Sequence, residues 1–252
     1  MRAFSFGGGV QSIAALVLQA QGQVNYDVFL FSNVGDDSED PMTLEYYRVH
    51  AVPYAEVNGI RLIEVRRKTN DSESLYQRLL RSNKSIGIPI RMKNGAPGNR
   101  ACTKDFKITI IRQWLGKGRH VVGLGISYDE IHRMHASTHK RFAVEYPLID
   151  LRLARSDCLK IIRDAGLPQP PKSSCWFCPF HNRGMWQEMR QKRPELFEKS
   201  IELERLLIDK RLALGRDPVY LTNKGVPIEQ AIGDQPYLFE TDDTCESGYC
   251  MT

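Results

Sequence analysis

The chain has 252 residues, of which 42% are hydrophobic, 26% charged and 9% aromatic, with a formal charge of +5; this balance excludes disordered, fibrous and disulfide-stapled miniature scaffolds. A chain of this length buries enough surface to fold unaided, so any metal has to be justified by chemistry rather than by stability. No apolar run reaches the roughly 18 residues that span a bilayer, and the start MRAFSFGGG lacks the basic and long apolar stretches of a signal peptide, so a cytoplasmic protein with no membrane contact is expected.

In chain order, Ala3 to Phe6 reads as a buried strand. Gly7, Gly8 and Gly9 form a turn, and an apolar helix runs from Ser12 through Leu18. Strand, turn and helix open an α/β unit. Asp27 to Asn33 is a second apolar run. Pro41 then introduces a helical stretch that Asn58-Gly59 stops, Arg61 to Val65 is a third strand, and His120 to Gly125 a fourth. Strands alternating with helices give, through right-handed crossovers, a Rossmann-like, mostly parallel sheet with helices on both faces and ligands at its carboxyl edge. Between Lys84 and Cys102 a stretch rich in Gly, Pro and basic residues fits no regular element and reads as an active-site loop. After Pro147 the texture changes to a short helix near Asp157 to Ala165, a proline-rich turn and helical sequence from about Asn182 to Leu214, a C-terminal helical subdomain.

Charge is unevenly placed. Arg61 to Arg119 holds fifteen Lys or Arg against four acids, whereas Asp234 to the end holds five acids and no Lys or Arg. A basic stretch of that size suits nucleic acid or the phosphates of a nucleotide.

In Ser5-Phe-Gly-Gly-Gly-Val-Gln-Ser12 the backbone N–H groups of Gly7, Gly8 and Gly9 and the following helix N-terminus would face an anion. Val10-Gln11 stands where a P-loop carries its lysine, and the contiguous glycines are not G-x-G-x-x-G. Cys175-Trp-Phe-Cys178 has the spacing by which two thiolates hold one centre, with Cys102 in Arg100-Ala-Cys-Thr-Lys-Asp-Phe-Lys107 as a candidate third ligand. Zinc on Cys102, Cys175, Cys178 and His181 is the alternative to an iron–sulfur cluster, and free or redox-active thiols are a third reading. Cys158, inside an apolar helix, reads as core. His132, His135 and His139 follow helical spacing, which suits a surface or phosphate pocket better than a metal.

The glycine-rich segment resembles the phosphate-binding loop of the PP-loop adenine-nucleotide α-hydrolase-like enzymes, in particular their PAPS-reductase-like branch, with Gly7 and Gln11 where that family has Ser and Asp. Phe31-Ser-Asn-Val-Gly35 is similar to the family's adenosine-embracing strand end, and Gly123 to Arg133 to its Gly-x-Arg-x-x-Glu-Ser-x-x-Arg stretch, with Glu130 and Arg133 keeping the acid-to-arginine spacing. The resemblance implies a nucleotide-binding domain over residues 1–150, with the cysteine pair, helical subdomain and acidic tail over 151–252. It implies ATP with Mg2+ held by Ser5, Gly7, Gly8, Gly9, Gln11, Ser12, Asn33, Gly123 and Gly125, substrate contacts from Lys104, Lys107, Glu130 and Arg133, and a [4Fe–4S] cluster on Cys102, Cys175 and Cys178. The implied activity is ATP-dependent, pyrophosphate-releasing sulfur transfer to tRNA or DNA, supplied by a sulfur donor such as a cysteine desulfurase. A sulfonucleotide reductase with Cys245 or Cys250 as nucleophile is the alternative, and a non-catalytic binding module with structural zinc a third reading. A homo-oligomer is left open.

Overall fold

Alternate residues of the first two strands face opposite ways, and both faces are apolar: Phe4, Phe6, Phe29 and Phe31 join one core cluster, Ala3, Val28 and Leu30 another. Strands buried on both sides demand helices on both sides. The computed structural model describes residues 1–67, 73–81, 86–135, 137 and 139–233 and shows that architecture. Strand β1 (Arg2–Phe6) leads into α1 (Val10–Ala20), and β2 (Val28–Asn33) into α2 (Pro41–Tyr46), which continues through a π-helical turn, Tyr47–Ala51, into α3 (Val52–Val57). After β3 (Leu62–Arg66) and α4 (Leu75–Arg81), α5 (Ala101–Thr103) passes through a second π-helical turn, Lys104–Ile108, into α6 (Thr109–Leu115). Then come β4 (His120–Leu124), a 3-10 turn (Tyr128–Arg133), β5 (Phe142–Glu145), α7 (Pro147–Asp150), α8 (Arg155–Asp164), α9 (Arg183–Lys192), α10 (Pro194–Ala213) and α11 (Ile228–Ala231).

The sheet is parallel throughout, in the order β3-β2-β1-β4-β5. The chain winds outward from β1 to β3, then returns to the other side of β1, so the winding reverses between β1 and β4. Loops leaving those two strands diverge and open a crevice at the carboxyl edge. Helix α1 closes one face: Ile13, Leu16 and Val17 are wholly buried, each such side chain stabilising the fold by about 1.5–3 kcal/mol. Helix α8 lies against α1, contributing Cys158 and Ile162 to the same cluster, so this part of the 151–252 region packs on the sheet. Helix α6 covers the other face through Ile110, Ile111 and Leu115.

A further apolar cluster gathers Trp176, Phe177, Trp186, Phe197 and Leu207 with Val34, Leu75, Ile88 and Phe106. It joins the helical region to the loops at the sheet's carboxyl edge. Pro194 splits the helical sequence after Asn182 into α9 and α10, because its ring cannot continue an existing helix but suits a first turn. Among the described residues no helix is long and apolar enough to cross a membrane.

Candidate functional site

The glycine-rich turn lies at the end of β1, beside the reversal point. Gly8 has φ +77, a left-handed conformation that disfavours side chains, and a Cβ there would come 3.1 Å from Thr43 Cγ2. Gly9 is the extended N-cap of α1 and receives the Ser12 hydroxyl on its carbonyl at 2.9 Å. Ser12 therefore closes the turn on itself, and its Oγ is committed. Ser173 donates to the Gly7 carbonyl from the opposite wall. Ser5 is a strand residue, paired with Leu30 and Leu124.

Gln11 bridges the crevice. Its amide nitrogen donates to Glu130 Oε2 at 3.2 Å and Ser127 Oγ at 3.4 Å, and its amide oxygen accepts from Arg155 Nη1 at 3.3 Å. Glu130 also receives Arg133 Nη1 at 2.7 Å, with both side chains largely buried. The chain Arg155–Gln11–Glu130–Arg133 thus runs from cation through a neutral amide to carboxylate and cation across the reversal point. An amide can both donate and accept, as this position requires, whereas an aspartate here would face Glu130 with like charge. Arg133 Nε and Thr43 Oγ1 are buried and have no hydrogen-bond partner among the described residues. Thr43 lies against the glycine turn and Arg133 is linked through Glu130 to Gln11 on the helix that follows it; an oxyanion is the kind of group that satisfies such donors.

Gly125 sits where a Cβ would meet Gln11, Phe4 and the Ser12 backbone at 3.3–3.4 Å, so its absence keeps the crevice narrow. Gly123 has a packing reason instead: the Tyr26 ring fills its missing side-chain space. Asn33 ends β2, receiving Gly35 N at 2.8 Å and donating to Asp36 and Glu64 at 2.8 and 3.0 Å. It borders a cavity of about 270 Å³ that also takes in Arg67, Ser74 and Phe106. Lys104 and Lys107 lie on the second π-helical turn, tied to β2 by Ser32 Oγ donating to the Phe106 carbonyl at 2.6 Å. Lys104 is exposed and Lys107 half-buried. The histidine spacing does not become a shared helical face: the turn ends at Arg133 and Met134 is extended (φ −66, ψ 131), so His135 and His139 lie beyond it.

The cysteine side is built from irregular chain. Cys178 N donates to the Cys175 carbonyl at 3.1 Å and His181 N to the Cys178 carbonyl at 3.0 Å, a tight double turn. Cys175 pairs with Glu39 in an isolated antiparallel bridge. Ser174 Oγ and His181 Nε2, 2.8 Å apart, tie the two ends of the turn together, and the imidazole packs edge-on against Trp186 at 4.7 Å. The Cys102 segment is brought alongside: Arg91 and Arg100 lie over Phe180, 5.0 and 5.2 Å from its centroid, and Arg91 Nε donates to the Pro179 carbonyl at 3.3 Å. Cys102 and Cys175 both pack against the Trp176 and Phe177 cluster. In donor type three half-buried cysteines on apolar walls suit a cluster or zinc. Among the described residues, however, no three His, Cys, Asp or Glu side chains are grouped so as to hold a metal ion. Cys158 is wholly buried, and burial pushes its thiol up to about 12, fitting a core role. Cys245 and Cys250 lie outside the described residues.

Sequence reading offers His181 only as a zinc ligand, whereas here its Nε2 lies 2.8 Å from Ser174 Oγ. Arg155, Ser173 and the Arg91–Phe180–Arg100 stack carry no local signal, because each acts across a long sequence separation. Comparison of the chain with protein-family models and with curated proteins gives no match.

Proposed function

We propose that the chain is an ATP-dependent sulfur transferase that releases pyrophosphate and acts on a nucleic-acid acceptor. The observation carrying this reading is the meeting, at the sheet's reversal point, of the Gly7–Gly9 turn with the Gln11–Glu130–Arg133 network, where Arg133 Nε and Thr43 Oγ1 have no hydrogen-bond partner among the described residues. The turn's N–H groups and the start of α1 receive the triphosphate, Arg133 and Thr43 complete its hydrogen bonds, and Lys104 and Lys107 offset charge on the leaving pyrophosphate. Mg2+ accompanies the nucleotide. The acceptor oxygen attacks the α-phosphorus and pyrophosphate departs; sulfur then replaces that oxygen, which leaves with AMP. Catalysis on this scheme is positioning and electrostatics.

Cys102, Cys175 and Cys178 are the residues that would hold a [4Fe–4S] cluster, whose open iron would present sulfur, with zinc as the alternative occupant. Ser174 and His181 hold the Cys175–Cys178 turn in shape for that purpose, and Trp176 and Phe177 exclude water behind it.

Anaerobic purification with iron, sulfide and zinc analysis, joined to an assay of AMP and pyrophosphate from ATP, tests the reading. Roughly four irons and four sulfides per chain, lost in Cys102→Ala and Cys175→Ala, are expected, with AMP and pyrophosphate formed in equal amounts. One zinc without sulfide removes the cluster, and release of ADP in place of AMP overturns the adenylylation.

A further inference from the structure

A second cavity, of about 610 Å³, is walled by immediate neighbours of both halves of the site. Arg155, on one wall, is the residue that donates to Gln11 of the glycine-rich helix. Lys172, on another, directly precedes the Ser173 that grips Gly7. His181 belongs to the cysteine turn, and Asp40, through its backbone N–H, donates to the Ser174 carbonyl at 3.0 Å. A molecule lying here would sit between the nucleotide loop and the cysteines.

The remaining lining comes from two helices and a proline turn. Met42, Glu45, Tyr46 and His50 descend one face of α2 and its π-helical continuation, while Met185, Glu188 and Met189 follow i, i+3, i+4 along α9. Pro168, Pro170 and Pro171 supply a further apolar wall. His50 lies against Tyr46, ring centroids 4.9 Å apart. Flat and sulfur-bearing apolar surfaces of this kind take the face of a planar ring.

Charge divides the cavity by element. The walls that adjoin the glycine-rich turn carry Arg155 and Lys172, and the two helical walls carry Glu45 and Glu188, the latter also receiving Lys192 Nζ at 2.8 Å on one oxygen. Arg193 adds little, because its Nη1 is held by both oxygens of Asp40 at 2.7 and 2.8 Å. A ligand of uniform negative charge would meet the two helical carboxylates, and an apolar one would leave both signs unanswered. What matches is a molecule anionic at one end with an uncharged planar ring bearing N–H donors at the other. A nucleotide has that form: phosphate for the cations, ring for the methionines and prolines, amino or imino edge for the carboxylates. The volume lies within the range of sites that enclose one small molecule.

We infer that this cavity receives one unstacked nucleotide of the acceptor strand, its phosphate toward Arg155 and Lys172 and its base between the α2 and α9 faces. The inference rests on the reading of the chain as a transferase with a nucleic-acid acceptor, and it adds where that acceptor enters and which part of it is gripped. The network from Arg155 through Gln11 to Glu130 then links the occupied cavity to the nucleotide crevice.

The test uses the full chain and fluorescein-labelled, mixed-sequence 12-mers of single-stranded RNA and DNA, followed by fluorescence anisotropy at several salt concentrations. Met42→Glu places a carboxylate on the ring-binding surface at an exposed position, and its urea midpoint is compared with wild type to confirm an intact fold. Lys172→Glu reverses the phosphate-facing charge. Each is expected to weaken 12-mer binding roughly tenfold, and Lys172→Glu to lower the salt slope by about one counterion. ATP affinity, measured by equilibrium dialysis, stays at the wild-type value in both. Preference for RNA or for DNA identifies the strand. Unchanged 12-mer affinity in both variants overturns the inference, as does parallel loss of ATP affinity, which would make the cavity part of the nucleotide site. Wild-type chain that binds the 12-mer but neither binds nor cleaves ATP sinks the transferase reading instead and leaves the cavity assignment standing.

Discussion

The two halves of the candidate site are held in place by different physics. The glycine-rich half hangs from β1 and β4, central strands hydrogen-bonded on both sides and packed on both faces. The cysteine half is carried by loops, around residues 86–100, 173–182 and 219–227, that have almost no backbone ladder of their own. It is fastened instead by discrete clasps: the Arg91–Tyr220 bridge, the Arg193–Asp40 pair, the Ser174–His181 contact and Glu204. Glu204 is the most exacting of these. Buried at 1% exposure, its two carboxylate oxygens receive Leu221 N and Ile228 N, each at 2.6 Å. A sheet spreads its hold over many bonds, whereas a clasped loop concentrates it in a few side chains.

That contrast can be broken most forcefully at Trp176, whose indole donates to the Asp37 carbonyl at 2.7 Å and packs among Tyr76 and Phe177. Trp176→Ala should cost about 4 kcal/mol in denaturant unfolding and, on the proposed function, lower the iron or zinc content of anaerobically purified chain. Phe29→Ala in the sheet should cost a similar amount yet leave metal content intact. Metal retained in Trp176→Ala would contradict the concentration of support on the cysteine side.

The clasp at Glu204 gives a pH signature. Burial raises its carboxyl from 4.5 to about 7, against the opposing effect of the two backbone N–H groups. Between those values the folded chain holds a proton that the unfolded chain has released, so stability falls as pH rises through the window and levels off above it, a loss of about 3 kcal/mol. Glu204→Gln should remove that slope, seen by comparing urea midpoints of the two proteins from pH 4.5 to 8. Parallel curves would show that Glu204 does not titrate in this range.

On the sheet side, Gly8→Ala should destabilise by about 1–2 kcal/mol from the positive φ alone; the proposed function adds that ATP affinity, read by calorimetry, falls while iron or zinc content stays at the wild-type value. The smallest expected effect is at Cys158. With its thiol near 12, the thiolate fraction at pH 8 is on the order of one in ten thousand. Iodoacetamide labelling followed by peptide mass spectrometry should therefore leave Cys158 unmodified in native protein, and rapid labelling would contradict its place between α1 and α8.

Legibility in the sequence follows the same division. The β1-turn-α1 unit is readable because its parts are contiguous: a short run with Ala3, Phe4 and Phe6 apolar, three glycines and an apolar helix. The stop at Asn58-Gly59 was readable because Gly59 takes φ +66 after α3. Strand β5 leaves little trace in the sequence, since Phe142–Glu145 is four residues long and paired only to β4. Helix α4, Leu75–Arg81, lies within a basic stretch, and its buried Leu75 and Leu79 are too few to mark a helical face. The cysteine spacing was visible, but its fastening was not: Glu204 to Ile228, Arg193 to Asp40 and Arg91 to Tyr220 join residues that no local pattern connects. The partners of Gln11 are of the same kind, 116 to 144 positions away.

The π-helical turn at Lys104–Ile108 has a consequence for how this region tolerates change. Such a turn holds one residue more than the regular helix needs, and its wider coil takes up that residue locally, so the facing of α5 relative to α6 is set by a count rather than by any single residue. Removing one residue between Thr103 and Thr109 would let the helix run regularly, with Cys102 before it and Ile110 and Ile111 after it keeping their present facing. Adding one more residue, with no second wide turn to take it up, would rotate α5 by about 100° relative to α6. Shortening by one should be absorbed readily here, and lengthening should not.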